Sequence, residues 1–214
     1  MKPAGKSAPQ PKADQWEEIF KRDGHVFADP AQIVMDFAVL LQKRGCKTVL
    51  DLGCGTGRHA VYLARQRFSL IGLDNSPTGL RMARQWLDEE KLSASLLLAD
   101  SRFALPFRDK VFDAILSTQV IHHALLETVH GTAREITRIL KKGGLMLITI
   151  PASKDRARHS EIEPNTFIPM AGDEKGLPHH IFTPDGLCSI FPAFKVLDLR
   201  TITDHIIALT AVKI

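Results

Sequence analysis

The amino-acid sequence predicts a doubly wound α/β fold, in which helices cover both faces of a mostly parallel seven-stranded sheet. Short apolar segments alternate with helical segments from residue 48 to residue 150, and the connections between them are short. A glycine-rich turn follows the first apolar segment. Strands and helices that alternate in this way form right-handed units, and these units build a parallel sheet.

Each element follows from the spacing of apolar residues and from the residues that start or end helices. Residues 14–22 predict a short amphipathic helix. Asp29 and Pro30 are typical of a helix start, and Gly45 is typical of the end of that helix. The alternating region then predicts five strands, at 48–51, 69–74, 95–99, 111–117 and 145–150, and three helices, at 58–67, 77–91 and 127–140.

The last third of the chain departs from this alternation. Residues 151–180 show no clear period and predict a loop or a small insertion. Beyond them the pattern predicts a helix that starts at Thr183 and two final strands, at 194–199 and 206–212. We therefore expect a flexible tail at 1–13 and a single domain at 14–214, with an insertion at 151–182.

Composition and charge describe an ordinary folded protein. Of the 214 residues, 44% are hydrophobic and 24% are charged, which excludes a disordered chain or a collagen. Lysine and arginine (28) exceed aspartate and glutamate (24) by four. Because the basic residues are scattered, a solvated surface is favoured over a surface that binds nucleic acid.

The cysteines and the apolar runs favour a cytoplasmic protein that makes no contact with a membrane. Cys46, Cys54 and Cys188 form neither a disulfide framework nor a zinc-binding pattern, which fits a reducing compartment. No apolar run approaches about 18 residues, so we expect no transmembrane helix. No hydrophobic segment follows the N-terminal lysines, so we expect no secretory signal.

The strongest functional signal is the segment VLDLGCGTG at 49–57, which joins the first strand to a helix. Gly53, Gly55 and Gly57 let the backbone turn sharply and approach a ligand closely. The helix start that follows offers free N–H groups to a negatively charged group. The G-x-G-x-G spacing differs from the G-x-G-x-x-G spacing of dinucleotide-binding proteins.

Acidic residues mark the ends of the first three strands. Asp51 precedes the glycine turn, Asp74 closes the second strand, and Asp100, followed by Ser101, closes the third. Asp74 is placed to accept hydrogen bonds from both ribose hydroxyls of a nucleoside, and Asp100 from an adenine amino group. Ligands bind beyond the carboxyl ends of parallel strands, so we expect these acids to share one site.

These motifs resemble those of class I S-adenosylmethionine (SAM)-dependent methyltransferases. The segments LPFRDKVFDAILSTQVIHH and REITRILKKGGLMLI most resemble the broad group that acts on small molecules, and they also resemble enzymes that modify the tRNA wobble uridine. The resemblance covers residues 48–150, about half of the chain, in the segments VLDLGCGTG, IGLD, LLLADS, LPFRDKVFDAILSTQVIHH and REITRILKKGGLMLI. It implies a Rossmann-like sheet with an antiparallel last strand. It also implies SAM as cofactor and S-adenosylhomocysteine as product.

The resemblance further implies which residues bind the cofactor. In chain order these are Trp16, Asp51, Gly53, Cys54, Gly55, Gly57, Asp74, Asn75, Asp100, Ser101, Ser117 and Gln119. The glycine turn would hold the methionine end, and residues 117–119 would line the floor near the methyl group. Trp16 would fold over the cofactor together with Phe20, although plain packing is an equal alternative for these two aromatic residues.

Methyl transfer needs a positioned acceptor, and an alcohol or protonated amine also needs a base. The candidate catalytic residues are His122 and His123, after the fourth strand, and His180, next to His179 in the insertion. Packing or helix capping is the alternative for the first pair. We expect no metal site, because adjacent histidines point in different directions and no H-x-x-x-H or C-x-x-C spacing occurs.

Three functions remain open, and the sequence sets no oligomeric state. We favour transfer to a small-molecule acceptor, with the insertion at 151–182 as a cap over that acceptor. The second is an RNA methyltransferase of the wobble-uridine type, which predicts salt-sensitive tRNA binding and a partner subunit. It would use the basic residues Lys2, Lys6, Lys12, Lys141, Lys142, Arg156 and Arg158. The third is a SAM-binding protein without catalytic activity.

Overall fold

The computed structural model describes residues 15–152, 159–203 and 205–214, so the expected tail at 1–13 lies outside the described residues. The described helices are α1 (Gln15–Asp23), α2 (Gln32–Lys43), α3 (Arg58–Arg65), α4 (Pro77–Glu89), α5 (Leu126–Ile139) and α6 (Pro184–Ser189). The described strands are β1 (Thr48–Leu52), β2 (Ser69–Asp74), β3 (Ser95–Leu98), β4 (Phe112–Thr118), β5 (Leu140–Pro151), β6 (His159–Glu163), β7 (Thr166–Pro169), β8 (His179–His180), β9 (Phe194–Thr203) and β10 (Ile206–Lys213). The elements predicted from the sequence are present within a few residues of their expected ends.

Seven strands form one sheet in the order β3-β2-β1-β4-β5-β10-β9. Strands β1 to β5 run parallel, whereas β10 is antiparallel to both of its neighbours, β5 and β9. Parallel neighbours need crossover connections, and α3, α4 and α5 supply them. The predicted doubly wound, mostly parallel sheet with an antiparallel last strand is confirmed.

Both faces of the sheet are covered by apolar contacts with helices. On one face, Leu50 of β1 and Ile115 of β4 belong to the same buried cluster as Ile136 of α5. On the other face, Val49 of β1 belongs to the same buried cluster as Phe37 of α2. Alternate residues of a strand point to opposite faces. A central strand of such a sheet is therefore mostly apolar on both faces, as the sequence pattern suggested.

The insertion contains a second, antiparallel sheet in the order β6-β7-β8. Its strands are short, and the pairing of β6 with β7 shifts register between Glu161 and Glu163. Short strands with a bulge leave no lasting alternation in the sequence, which is why the sequence pattern did not resolve them. The expectation of a plain loop is therefore wrong for the described residues 159–180, which contain three short strands.

Helix α1 links α4 to the insertion. Glu17 accepts hydrogen bonds from the Ser76 hydroxyl (2.5 Å), the Thr78 amide (2.9 Å) and the Thr78 hydroxyl (2.7 Å). Burial opposes the charge of Glu17, but these donors outweigh it and lower its pKa to about 2. Farther along α1, Arg22 forms an ion pair with Asp173 of the insertion.

Within the described ranges, no helix has both the length and the apolar character needed to cross a membrane.

Candidate functional site

A cavity of about 1000 Å³ opens at the carboxyl ends of the parallel strands. It lies where the strand order reverses, between β1 and β4, which is where doubly wound sheets bind ligands. The glycine turn and the segments after β2, β3 and β4 form its floor and inner wall, while α1 and the insertion form the outer walls. The topology therefore gathers the sequence-predicted residues around one space.

Most of the predicted site residues line this cavity. They are Trp16, Gly53, Cys54, Gly55, Asp74, Asn75, Asp100, Ser101, Gln119, His122 and His123. Four do not: Asp51, Gly57, Ser117 and His180. Asp51 and Ser117 are buried within strands β1 and β4, and the wall is formed instead by later residues such as Gly53 and Thr118. Asp51, Gly57 and Ser117 therefore lie behind the residues that form the cavity wall, and their part in cofactor binding stays a prediction.

The glycine turn has the geometry that its sequence predicts. Gly53, Gly55 and Gly57 have φ values of +79°, +53° and +95°, a region that side chains disfavour. A Cβ atom on Gly53 would lie 2.3 Å from a methyl carbon of Val120, and one on Gly57 would lie 2.8 Å from Cβ of Ala83. Gly53 thus permits close approach to the segment after β4, whereas Gly57 permits α3 to pack on α4.

Asp51 is a buried acid behind the turn. Its two carboxylate oxygens have no hydrogen-bond partner within the described part of the chain. Burial and, to a lesser degree, the nearby Asp74 raise the pKa of Asp51 to about 7, although Arg58 acts in the opposite direction. The site therefore contains an uncompensated acid that a positively charged ligand would stabilise in its ionised form.

Asp74 is tied to the glycine turn through its carboxylate. One oxygen accepts a hydrogen bond from the Gly55 amide (2.7 Å), and the other accepts one from the Ser76 amide (2.9 Å). Burial raises the pKa of Asp74 above its usual value, against the effect of these donors. The Asn75 amide donates to the same carboxylate. Because a carboxylate can accept about four hydrogen bonds, Asp74 keeps the capacity to accept one from a ligand.

Asp100 is paired with an arginine that sequence reasoning missed. The carboxylate accepts hydrogen bonds from the amide of Arg102 (2.9 Å) and from its guanidinium group (2.5–3.0 Å). Burial opposes ionisation, but the Arg102 contacts hold the pKa of Asp100 below its usual value. The close spacing of Asp100 and Arg102 in the sequence was the available signal, because an acid can reach a side chain two residues on across a turn.

Two further lining residues were also missed. His59 at the start of α3 accepts a hydrogen bond from the Ala31 amide (3.3 Å) at Nε2, and its Nδ1 lies 3.2 Å from the Thr118 hydroxyl. Burial and the neighbouring Arg58 lower the pKa of His59 to about 3, so it is a neutral part of the wall. Arg58 itself also lines the cavity. The helical pattern of this segment gave no sign that either side chain faces a ligand site.

Three histidines meet on the wall next to the insertion. The ring centroids of His122 and His123 lie 3.9 Å apart, and that of His179 lies 5.5 Å and 4.7 Å from them. Glu174 of the insertion lies beside the cluster, with 2.9 Å between its Oε2 and His179 Nε2 and 3.5 Å between its Oε1 and His123 Nε2. Burial opposes the charge of Glu174, but the two histidines hold its pKa well below the usual range.

Two sequence expectations about the histidines are corrected here. The rings of His122 and His123 do not diverge, because this pair lies in a turn after β4 and not in a regular strand. His180 points away from the cavity: its Nδ1 lies 2.7 Å from the Thr166 hydroxyl and its ring packs on Phe182. Successive residues of a strand face opposite sides, so in β8 it is His179 that reaches the site.

The fold and the site define a class of protein. A doubly wound sheet with a glycine turn after β1 and acids at the ends of β2 and β3 is the arrangement of a domain that binds a nucleoside-containing cofactor. Residues 50–148, a little under half of the chain, match the family model described as "Methyltransferase domain". The match supports a class I SAM-dependent methyltransferase domain in this part of the chain.

Curated relatives named as methyltransferases match this chain, and a solved structure shares its fold. The chain is 31% identical over 138 residues to the uncharacterized methyltransferase YodH of Bacillus subtilis, covering 64% of this chain and 57% of that protein. It is 32% identical over 121 residues to the probable tRNA methyltransferase 9B of Bos taurus, covering 56% of this chain and 24% of that protein. The chain therefore spans little more than half of the first relative and about a quarter of the second. The PH0226 protein of Pyrococcus horikoshii shares the fold, with a TM-score of 0.72 and 18% identity over 92% of this chain and 99% of that one.

Proposed function

We propose that the protein is a SAM-dependent methyltransferase that transfers a methyl group to a small-molecule acceptor. The observation that carries this proposal is that Asp74 and Asp100, at the ends of neighbouring strands, face the same cavity as the glycine turn. Carboxylates at these positions can accept hydrogen bonds from the ribose and the adenine of a nucleoside that lies beside the glycine turn. The match of residues 50–148 to methyltransferase domains supports the same cofactor.

The described residues fit SAM. When bound, this cofactor supplies an electrophilic methyl group on a positively charged sulfur. Asp74 would accept hydrogen bonds from the ribose hydroxyls, and Asp100 would accept one from adenine while keeping part of its pairing with Arg102. The buried charge of Asp51 would favour a cationic ligand from behind the turn. Trp16 and Phe20 of α1 would cover the ligand and exclude water.

A single substitution tests the cofactor site. Asp74→Asn keeps the size of the side chain and removes its charge. Hydrogen bonds to charged groups are worth about 1.5–3 kcal/mol, so the dissociation constant of SAM, measured by calorimetry, should rise about 10–100-fold. The matched control is Asp88→Asn, which changes an exposed acid of α4 outside the cavity lining. Equal affinities of the two variants for SAM would refute the ribose assignment.

The walls of the cavity support a small acceptor. Helix α1 closes one side and the insertion closes another, and His122 and His123 lie on the wall next to the insertion. We assign these two histidines to contact with the acceptor. His180 has no such role in this proposal because it faces Thr166.

The RNA alternative is favoured only by the relatives, which include a probable tRNA methyltransferase. Lys141 and Lys142 lie near the amino end of β5, at the opposite end of the sheet from the cavity, and Lys141 is paired with Asp113 at 2.7 Å. They are therefore poorly placed to guide RNA to the site. The other basic residues assigned to RNA lie outside the described residues: Lys2, Lys6, Lys12, Arg156 and Arg158.

A labelling experiment separates the three functions. The protein is incubated with methyl-labelled SAM and a cell extract that has been divided into small-molecule and RNA fractions. We expect label in the small-molecule fraction only. Salt-sensitive label in the RNA fraction would establish the RNA alternative, and SAM binding without transfer to either fraction would establish a non-catalytic protein.

The free cysteines Cys46, Cys54 and Cys188 support a reducing compartment, and we propose the cytoplasm.

A further inference from the structure

The histidine cluster on the cavity wall has the composition of a transition-metal site. His122, His123 and His179 each offer one ring nitrogen, and these three atoms lie within 4.8 Å of one another. His122 and His179 are buried, and His123 is largely so. Glu174 adds a carboxylate next to two of the three rings. Imidazole nitrogens with one carboxylate are ligands that suit zinc and its neighbours in the first transition row, and not magnesium or calcium.

We propose that His122, His123, His179 and Glu174 bind a divalent transition-metal ion of the zinc type. In a tetrahedral zinc site, bonds of about 2.0–2.1 Å place the ligand atoms about 3.3 Å apart. The distances of Glu174 from His179 (2.9 Å) and from His123 (3.5 Å) are already close to this value. The three ring nitrogens need to approach one another by at most about 1.5 Å to reach it, which ring rotation can supply.

The hydrogen bond on the far side of His179 supports the same conclusion. Its Nδ1 lies 2.9 Å from the Leu177 carbonyl oxygen, and because a carbonyl only accepts, Nδ1 must carry a proton. Its Nε2 lies 2.9 Å from a carboxylate oxygen of Glu174, a contact that either a shared proton or a metal ion can bridge. A histidine that binds a metal typically donates its other N–H to a carbonyl or carboxylate, as Nδ1 does here. In the metal-bound form, the ion would replace the proton between Nε2 and the carboxylate.

The position of the ion would bear on the acceptor. All four ligand residues line the cavity, on the wall that the proposed function assigns to the acceptor. Because the four side chains fill a tetrahedral zinc site, the ion would hold an oxygen, nitrogen or sulfur donor of the acceptor as a fifth ligand, as catalytic zinc ions can, and would lower the pKa of a bound hydroxyl. This consequence for the acceptor rests on the proposed function, whereas the metal site itself does not.

Metal titration of the whole protein tests the site. The protein is dialysed against a chelator and titrated with zinc in competition with a chromophoric chelator, and separately with cobalt, whose visible bands are intense only at low coordination number. We expect one tightly bound zinc ion per chain and an intense cobalt spectrum. His123→Gln and Glu174→Gln should each weaken zinc binding about 100-fold, at or above the usual effect of losing a supporting group.

The matched control is His25→Gln, which changes an exposed histidine outside the cavity lining. This variant should bind zinc and cobalt as the unchanged protein does. Absence of a stoichiometric zinc site, or equal loss of zinc binding in His25→Gln and His123→Gln, would overturn the proposal. SAM affinity of the metal-free protein is measured in parallel. Failure of SAM binding with intact zinc binding would refute the proposed function and leave the metal site standing.

Discussion

Replacement of Asp51 by asparagine tests whether a buried charge behind the glycine turn opposes folding. The carboxylate is buried and has no hydrogen-bond partner in the described part of the chain, and its pKa is raised from the ordinary 3.8 to about 7. Each pH unit of this difference corresponds to 1.36 kcal/mol. The ionised side chain therefore lowers the free energy of unfolding by up to about 4 kcal/mol above pH 7.

The sign of the pH dependence follows from proton linkage. Because the folded protein binds this proton more tightly than the unfolded chain does, the stabilisation is complete below pH 3.8 and is lost as the pH rises to about 7. Asp51→Asn removes this dependence. The free energy of unfolding of the variant minus that of the unchanged protein should therefore be about 3 kcal/mol larger at pH 8 than at pH 4.5. Any fixed cost of the buried amide is the same at both pH values and cancels.

Urea unfolding of the ligand-free protein at these two pH values measures the difference. The matched control is Asp113→Asn, whose carboxylate accepts hydrogen bonds from the Lys47 and Thr48 amides and pairs with Lys141. Burial opposes the charge of Asp113, but these partners hold its pKa well below the usual range, so its contribution is present above pH 3.8 and is lost in acid. Asp113→Asn should therefore be less stable than the unchanged protein at both pH values. An Asp51→Asn variant with the pH dependence of the unchanged protein would refute the assignment of a raised pKa.

Two further predictions concern residues that support the site: Glu17, which holds α1 on α4, and Gly57, which lets α3 pack on α4. Glu17→Gln should loosen α1 from α4, because an amide replaces the charged carboxylate that accepts hydrogen bonds from Ser76 and Thr78. Proteolytic cleavage within α1 should therefore become about tenfold faster. An unchanged cleavage rate would refute the anchoring role of Glu17. In urea unfolding, Gly57→Ala should lower the free energy of unfolding by about 1–2 kcal/mol more than Gly143→Ala does. Both glycines have a positive φ, but only the new Cβ at position 57 would clash with another residue. Equal losses would show that backbone strain alone matters there.

The parts of the site that lie on the parallel sheet could be predicted from the sequence. Strands, turns and helices each leave a local pattern in the sequence. Because β2 and β3 are neighbouring parallel strands, Asp74 and Asp100 lie at the same edge of the sheet, irrespective of the loop conformations. The same logic correctly placed the glycine turn in the cavity wall. The same logic could not show that Asp51 is buried behind the turn and outside the cavity lining, because burial depends on tertiary packing.

The histidine cluster could not be predicted in the same way. The insertion brings His179 to His122 and Glu174 to His123. Its short strands leave no period in the sequence, so these contacts depend on tertiary packing. Which of His179 and His180 faces the cavity depends on the register of β8, and register is set by pairing with β7. The pairing of Asp100 with Arg102 is local, but a turn conformation and not a sequence period determines it.

Calorimetric titration of the unchanged protein with SAM, S-adenosylhomocysteine and NAD tests the central claim most directly. The account predicts saturable binding of one molecule of SAM or of S-adenosylhomocysteine per chain. It also predicts that the two compete for one site, and that NAD neither binds tightly nor displaces either of them. Binding of NAD in the absence of SAM binding would contradict the account, because the glycine turn and Asp74 would then serve a dinucleotide.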